Sequence, residues 1–271
     1  MVLHAQQNKK ILITGSRFTY TYVEALIAEY KIINPEVEIV IIPRGANTDS
    51  SNLFINGQEI KPGDLKPGYT TRILFRYGLL PVYNQHSQHL NAAFKDGLGD
   101  EQIKQLFFPV QKGEKSVPVE VGKYQVYTRE QSACAPVTFA QHFGLLQSDI
   151  SGEGIAGDDK QLLTAISKDT NGVSYNVLSN IYDLKSRKLK TDIAVIKLDL
   201  NNNHRVDPEE DVYNNLDQVI ALYETNKSKG LIIGYINFSF NTENSTVKEF
   251  VNWVAKQPEQ KLHQYGYLKL K

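Results

Sequence analysis

The stretch "ILITGSRFTYTYVEALIAEYKIINPEVEIVI", residues 11–41, decides the fold that the sequence predicts. A short apolar run ends at a Gly-Ser pair, and apolar residues then recur at the i, i+3, i+4, i+7 spacing of an amphipathic helix: Val23, Leu26, Ile27 and Tyr30. Asn34-Pro35 ends this helix, because the residue before a proline is disfavoured in helical conformation. A second apolar run follows at 37–42. The stretch therefore predicts a strand, a helix and a parallel strand joined by a right-handed crossover.

The rest of the chain alternates between the same two patterns. Strand-like runs occupy 72–84, 191–200 and 229–240, and helical periodicity occupies 100–108, 158–169 and a segment that begins near Pro136. This alternation predicts the α/β class. Because ligands of such sheets bind at the carboxyl ends of strands, the segments that follow the strands hold the candidate site.

Length, composition and charge limit the classes of partner. The chain has 271 residues, of which 41% are hydrophobic, enough for two lobes with buried cores. Lysine plus arginine equal aspartate plus glutamate at 30 each, so no overall field attracts nucleic acid or an anionic membrane. A charged ligand has to be recognised locally. The single cysteine, Cys134, excludes an internal disulfide, and no stretch is long and apolar enough to span a bilayer.

The opening "MVLHAQQNKK" has two interpretations. A short apolar stretch that ends at small Ala5 before a polar run is typical of the last residues of a secretory signal peptide, with a mature chain that begins near Gln6. The alternative is an ordinary chain start, because the basic and long apolar parts of a signal are absent.

The segment "YTREQSACAPVTFAQHFG", 127–144, gathers small residues between an arginine and a predicted helix. A helix N-terminus presents free N–H groups and partial positive charge, so Ser132, Ala133 and Cys134 would let an oxyanion approach the backbone while Arg129 supplies a bidentate guanidinium. The alternative is that Ser132 caps the helix and Arg129 is a solvated surface charge. The first strand end favours the anion site, because Gly15, Ser16 and Thr19 form a second hydroxyl-lined helix start.

At these residues the chain resembles the phosphate-binding extracytoplasmic proteins of ABC transporters, which have the two-lobed type II periplasmic binding protein fold. The resemblance covers most of the chain, through the segments 13–41, 128–144, 171–176 and 246–270. It implies that Ser16 and Thr19 from the first lobe, and Arg129, Ser132 and the backbone amides of Ala133 and Cys134 from the second, hold the anion.

The sequence departs from the family at the site. Ala133-Cys134 stand where the family usually has Gly-Thr, and "RGANTDSSN", 44–52, replaces its Gly/Ser-rich second loop. The family's aspartate that accepts a proton from bound phosphate has no clear counterpart, and Asp49 and Asp64 are the candidates. A carboxylate there favours a protonated oxyanion over sulfate, because an acceptor cannot satisfy an oxygen without hydrogen. The ligand is therefore phosphate or another oxyanion.

A second pattern, "DLNNNHRVDPEE" at 199–210, matches the spacing of a calcium-binding loop. Candidate ligands stand at positions 1, 3, 5, 7, 9 and 12: Asp199, Asn201, Asn203, Arg205 through its carbonyl, Asp207 and Glu210. Hard cations take oxygen ligands from a loop that wraps round them. The pattern predicts a structural calcium ion, and the alternative is a metal-free turn held by its own side chains.

These observations and the resemblance predict a two-lobed α/β protein. Lobe 1 comprises 8–83 and 231–271, lobe 2 comprises 84–230, and the chain crosses near 80–84 and 229–237. The predicted function is capture of an oxyanion, foremost inorganic phosphate, by hinge closure of a monomer, followed by delivery to an ABC transporter permease outside the cytoplasm. Catalysis is not implied, since no hydrolase triad is visible. The alternative is a sensor or interaction protein that keeps the fold without binding phosphate.

Overall fold

The computed structural model of the chain describes residues 9–43, 46–109, 122–226 and 230–270. The predicted signal peptide and the first two residues of the "RGANTDSSN" loop lie outside these ranges. The strands are β1 (Lys10–Gly15), β2 (Glu38–Ile41), β3 (Leu53–Asn56), β4 (Tyr69–Asn84), β5 (Gln125–Arg129), β6 (Glu153–Ile155), β7 (Gly172–Val177), β8 (Ile193–Val195) and β9 (Ile232–Asn241).

Helices flank this sheet. They are α1 (Tyr20–Ile33), α2 (Gln88–Ala93), α3 (Asp100–Phe107), α4 (Cys134–His142), α5 (Asp159–Lys168), α6 (Leu178–Ile181), α7 (Leu216–Thr225), α8 (Ser245–Val254) and α9 (Glu259–Gln264). Turns of 3-10 helix cover Arg17–Thr19, Pro62–Asp64 and Gln147–Asp149. No helix within the described ranges has the length and apolar character needed to cross a membrane.

The strands form one mixed sheet with the order β2-β1-β3-β9-β4-β7-β5-β6, and β8 pairs with β4 outside this path. The predicted opening unit is confirmed, because β1 and β2 are parallel with Ile11 opposite Ile39 and α1 connects them. Strand β3 also runs parallel to β1, and β5 runs parallel to both β6 and β7. The architecture is therefore the predicted α/β class, a curled sheet with helices packed on it.

Two long antiparallel strands, β4 and β9, hold the sheet together. Strand β4 pairs with β9 from Tyr69 to Leu79, with a register shift between Ile73 and Phe75, and then with β7 and β8 up to Asn84. One strand thus belongs to both halves of the sheet, near the predicted crossings. The division into lobes of 8–83 plus 231–271 and 84–230 stays a prediction.

The core beside the site is aromatic. Phe139 of α4 is fully buried, and its ring stacks on Tyr175 of β7 with centroids 4.2 Å apart. Phe107 of α3 packs edge-on against Phe139 at 4.8 Å. Because truncating a buried phenylalanine costs about 3–5 kcal/mol, these contacts fix the position of α4 and of its N-terminus.

Two element boundaries differ from the sequence prediction. The strand predicted over 191–200 is short, because only Ile193–Val195 pairs with β4. Helix α4 begins at Cys134, so Pro136 is its third residue instead of its first. Proline is tolerated at either position, since the N–H groups of the first helical turn have no partner within the helix.

Candidate functional site

A cavity of about 220 Å³ lies where β1, β3 and β5 end and where α4 and α5 begin. Its walls are formed by residues 15–18, 55–56, 131–134 and 158–159 together with Arg129, and we call it the anion cavity. The segments are far apart in sequence, and the sheet brings their strand ends to a common edge. This is the location that the rule for ligand binding in α/β sheets specifies.

Gly15 places Ser16 at one wall of the anion cavity. Its φ of +131° is one that side-chain-bearing residues rarely adopt, and an added Cβ would lie 1.9 Å from the carbonyl oxygen of Ile55. This close approach lets the backbone amide of Ser16 donate to the Ile55 carbonyl at 2.8 Å. The glycine thus joins the ends of β1 and β3 and aims the Ser16 segment at the cavity.

Arg129, the last residue of β5, forms the opposite wall. Its side chain is only 4% exposed, and Nη1 donates to Oδ1 of Asp159 at 3.1 Å. The buried Nε has no hydrogen-bond partner among the described residues. Because an unpaired buried donor costs about 1–3 kcal/mol, a guanidinium left incomplete at a cavity is suited to an anionic ligand.

The carboxylate of Asp159 nearly cancels the positive charge of Arg129 at this wall. Burial raises the pKa of its carboxyl, and the charge and hydrogen bond of Arg129 offset only part of that rise. The neighbouring Asp158 caps α5, where Oδ1 accepts the Lys160 amide at 2.9 Å. The cavity therefore contains a buried ion pair and the carboxylate of Asp158, and a bound anion has to compete with Asp159 for Arg129.

Cys134 connects the two walls. Its Sγ lies 3.0 Å from Oγ of Ser16 and accepts the backbone N–H of Gly57 at 3.2 Å. The thiol thus occupies two groups that are suited to bind an oxyanion, one hydroxyl and one amide. The first turn of α4 surrounds this point, and its free amides and partial positive charge add to the positive side of the cavity.

Five of the six residues predicted to hold the ligand line this one cavity: Ser16, Arg129, Ser132, Ala133 and Cys134. Thr19 does not line it, because its side chain is fully buried and its hydroxyl donates to the Ser16 carbonyl at 2.6 Å. The Ala133 amide donates to Oε1 of Gln147 at 3.3 Å and the Val137 amide to the Ala133 carbonyl at 3.1 Å, so neither amide is free for a ligand. The ligand roles of the six predicted residues stay a prediction.

The sequence reasoning missed the carboxylates of this cavity. Asp158 and Asp159 line it, whereas Asp49 does not, and Asp64 lines a separate cavity of about 340 Å³ beside Phe54. The predicted helix over 158–169 marks them, because Asp158-Asp159 stands at its start, as Ser132 and Cys134 stand at the start of the helix predicted near Pro136. Gln147 was also missed, and no local pattern marks it.

The predicted calcium loop is closed by its own hydrogen bonds. The buried carboxylate of Asp199 accepts the backbone amides of Asn203 and His204 at 3.1 and 2.8 Å. Oδ2 of Asp207 accepts both side-chain amides, from Asn201 and Asn203, each at 2.8 Å. These two bonds and the charge of Arg205 lower the pKa of Asp207.

The carboxylate of Glu210 is also engaged. Its Oε1 accepts the Leu200 amide and its Oε2 accepts the Asp207 amide, both at 3.1 Å. Arg205, whose carbonyl is the candidate ligand, donates through its side-chain Nε to Asp207 at 2.8 Å. Within the described ranges no group of three or more His, Cys, Asp or Glu side chains is arranged to hold a metal ion. The calcium ion stays a prediction, and its binding would replace the contacts to Asp207.

Solved structures of other proteins superpose on most of this chain and identify its fold. A putative phosphate ABC transporter substrate-binding protein with bound phosphate from Clostridium perfringens superposes with a TM-score of 0.64 at 13% identity, over 97% of this chain and 100% of that one. An ABC-type phosphate transport receptor from Vibrio cholerae gives 0.61 at 16% identity, over 96% and 100%. The regulatory domain of a LysR family regulator from N. meningitidis gives 0.56 at 12% identity, over 97% and 100%.

No family model and no curated protein sequence matches the chain. At these identities the superpositions show the fold alone, which is that of periplasmic-binding-protein-like structures. The three structures named above are of binding or regulatory proteins.

Proposed function

We propose that the protein captures a small oxyanion, foremost inorganic phosphate, in the anion cavity and delivers it to an ABC transporter permease outside the cytoplasm. The observation that carries the proposal is the meeting of Ser16, Arg129 and the N-terminus of α4 in one cavity of about 220 Å³. Hydroxyl, guanidinium and backbone amides are the donors that an oxyanion requires, and they act here without any net charge on the protein.

Binding in this proposal proceeds by hinge closure. The halves 8–83 plus 231–271 and 84–230 close as lobes, with the paired strands β4 and β9 as the hinge. The anion takes over the Ser16 hydroxyl and the Gly57 amide from Cys134 and completes the hydrogen bonding of Arg129. Asp159 accepts a hydrogen bond from a protonated oxyanion and repels sulfate, which has no proton to donate. No bond is broken, so the proposed role is binding without catalysis.

The test is calorimetric titration with phosphate and with sulfate. We expect a Kd in the nanomolar to micromolar range for phosphate, at least 100-fold weaker binding of sulfate, and loss of the phosphate signal in Ser16→Ala and Arg129→Met. Arg72→Met is the matched control, because it removes an exposed guanidinium that lies outside the anion cavity and donates through Nη1 to Asn252. Phosphate binding that persists unchanged in Ser16→Ala and Arg129→Met, with all variants folded, would contradict the proposal.

A second candidate function is favoured by the internal bonding of the same cavity. Cys134 already satisfies Ser16 and Gly57, and Asp159 already pairs with Arg129, so the cavity is partly complete without a ligand. Such a cavity suits a sensor or interaction protein that keeps the fold and no longer binds phosphate. A wild-type protein that gives no heat with phosphate supports this alternative.

A further inference from the structure

A second cavity adjoins the anion cavity at the turn that holds Arg17 and Phe18, because both residues border both cavities. Its volume is about 340 Å³. Four cationic side chains from separate segments line it, and we call it the basic cavity: Arg17 before α1, Lys160 of α5, and Lys185 and Lys190 after α6. Asp183 is the one carboxylate on its wall among the described residues.

Within the ranges that the structure describes, none of these four cations forms a salt bridge, and Nη2 of Arg17 donates to the carbonyl of Gly157 at 3.2 Å. Two carboxylates act on them from a greater distance: the charge of Asp183 opposes the lowering of the Lys190 pKa, and the charge of Arg17 opposes the rise in the Asp159 pKa. Asp183 is engaged in its own turn, where its carboxylate accepts the Ser186 amide at 2.7 Å. Partial burial and the nearby charge of Lys160 lower the pKa of Lys190. Like charges gathered in a concave surface raise the free energy of the empty cavity, and a bound polyanion lowers it.

Part of the wall is aromatic. Phe18 and Tyr265 line the cavity and are partly exposed. Tyr22, which is buried, supports them from below, because its ring lies 5.0 Å from that of Tyr265, measured between centroids. Partly exposed aromatic rings contact flat apolar groups well. The volume falls in the range of small-molecule sites, about 300–1,000 Å³. Charge and ring surface together fit a compound that has both.

We propose that the basic cavity binds a small, multiply phosphorylated compound that carries a ring, with phosphoryl groups against Arg17, Lys160, Lys185 and Lys190 and the ring against Phe18 and Tyr265. This cavity is distinct from the one in which Arg129 is proposed to hold phosphate. It provides the molecule with a second anion site, which borders the anion cavity at Arg17 and Phe18.

Adenosine diphosphate is the probe for this site, with pyrophosphate as charge without a ring and adenosine as ring without charge. We expect calorimetry to show adenosine diphosphate binding more tightly than either, and at least about ten-fold more weakly to Lys185→Ala/Lys190→Ala than to wild type. The matched control is Lys31→Ala/Lys248→Ala, which removes the same charge from exposed helix positions outside the cavity. Binding should also weaken as salt rises, because the contacts are between charges at a solvent-connected surface.

Arg129→Met and saturating phosphate separate this inference from the proposed function. Adenosine diphosphate binding that survives both, and that falls in the lysine pair variant alone, supports a separate site even where wild type fails to bind phosphate. Binding lost in Arg129→Met, equal weakening in the control pair, or no heat with adenosine diphosphate at millimolar concentration overturns it.

Discussion

The anion cavity and the 199–210 loop are both rich in polar groups, yet they are completed in different ways. The loop takes its donors and acceptors from twelve consecutive residues, and the carboxylates of Asp199, Asp207 and Glu210 all find partners within it. The anion cavity takes its groups from segments more than 100 residues apart, and Nε of the buried Arg129 remains without a partner. The difference teaches that consecutive residues can satisfy one another's polar groups within a turn, whereas polar groups that packing gathers from distant segments are left with a donor unpaired.

A substitution at Gly15, whose backbone conformation holds the cavity open, should have the largest effect on stability. We expect Gly15→Ala to destabilise the fold by about 4 kcal/mol, because its Cβ would meet the Ile55 carbonyl at a φ that alanine rarely adopts. Gly63→Ala is the control, since no atom lies within 4 Å of its added Cβ. Urea unfolding followed by circular dichroism measures both, and equal midpoints would show that β1 and β3 do not need this approach.

Removing the cation of the cavity should have the next largest effect. Arg129→Met leaves the Asp159 carboxyl buried without its partner, so we expect a loss of about 3 kcal/mol in the free energy of unfolding. The double variant Arg129→Met/Asp159→Asn should recover most of this stability and still fail to bind phosphate. A double variant as unstable as the single one would mean that the loss comes from packing and not from the unpaired charge.

The loop offers the opposite case, in which a carboxylate is structural. We expect Asp199→Ala to cost about 2 kcal/mol, because the amides of Asn203 and His204 lose their acceptor. Glu209→Ala, an exposed change in the same segment, should leave stability unchanged. The calcium prediction requires wild type to melt higher in calcium than in chelator, with no such difference in Asp199→Ala. Equal melting of wild type in both would contradict it.

The smallest expected effect is a change in the pH dependence of stability. Burial raises the folded-state pKa of Asp159 above the ordinary value of 3.8, so the folded state holds this proton more tightly than the unfolded state does. The resulting stabilisation is full below pH 3.8 and is lost as pH rises through the folded-state pKa. Stability of Asp159→Asn relative to wild type should therefore increase with pH across this window. A constant difference between the two proteins from pH 3 to 7 would show that Asp159 ionises normally.

Part of the secondary structure of this protein can be predicted from residues that are neighbours in the sequence. The spacing of Val23, Leu26, Ile27 and Tyr30 predicts α1, and the apolar runs on either side predict β1 and β2, because helix and strand periodicity depend on neighbouring side chains. The sequence marks Ser16 because it follows a predicted strand, where ligands of α/β sheets bind, and it marks Arg129 because small residues and a predicted helix start come after it.

Long-range features required the folded chain. The pairing of Arg129 with Asp159, the contact of Cys134 with Ser16 and Gly57, and the gathering of Lys160, Lys185 and Lys190 all depend on how the sheet orders its strands. The outcome for Thr19 also required the folded chain. Its hydroxyl is chemically suited to bind an oxyanion, but in the structure it donates to the Ser16 carbonyl.

The sequence by itself determined the α/β class, the opening unit of β1, α1 and β2, and the small and hydroxyl-bearing residues that precede α1 and α4. Only the tertiary structure decided which strand ends and helix starts meet and which donors remain unpaired there. The physical reason is that periodicity and capping are settled by residues a few positions apart, whereas burial, charge pairing and desolvation depend on neighbours that folding alone supplies.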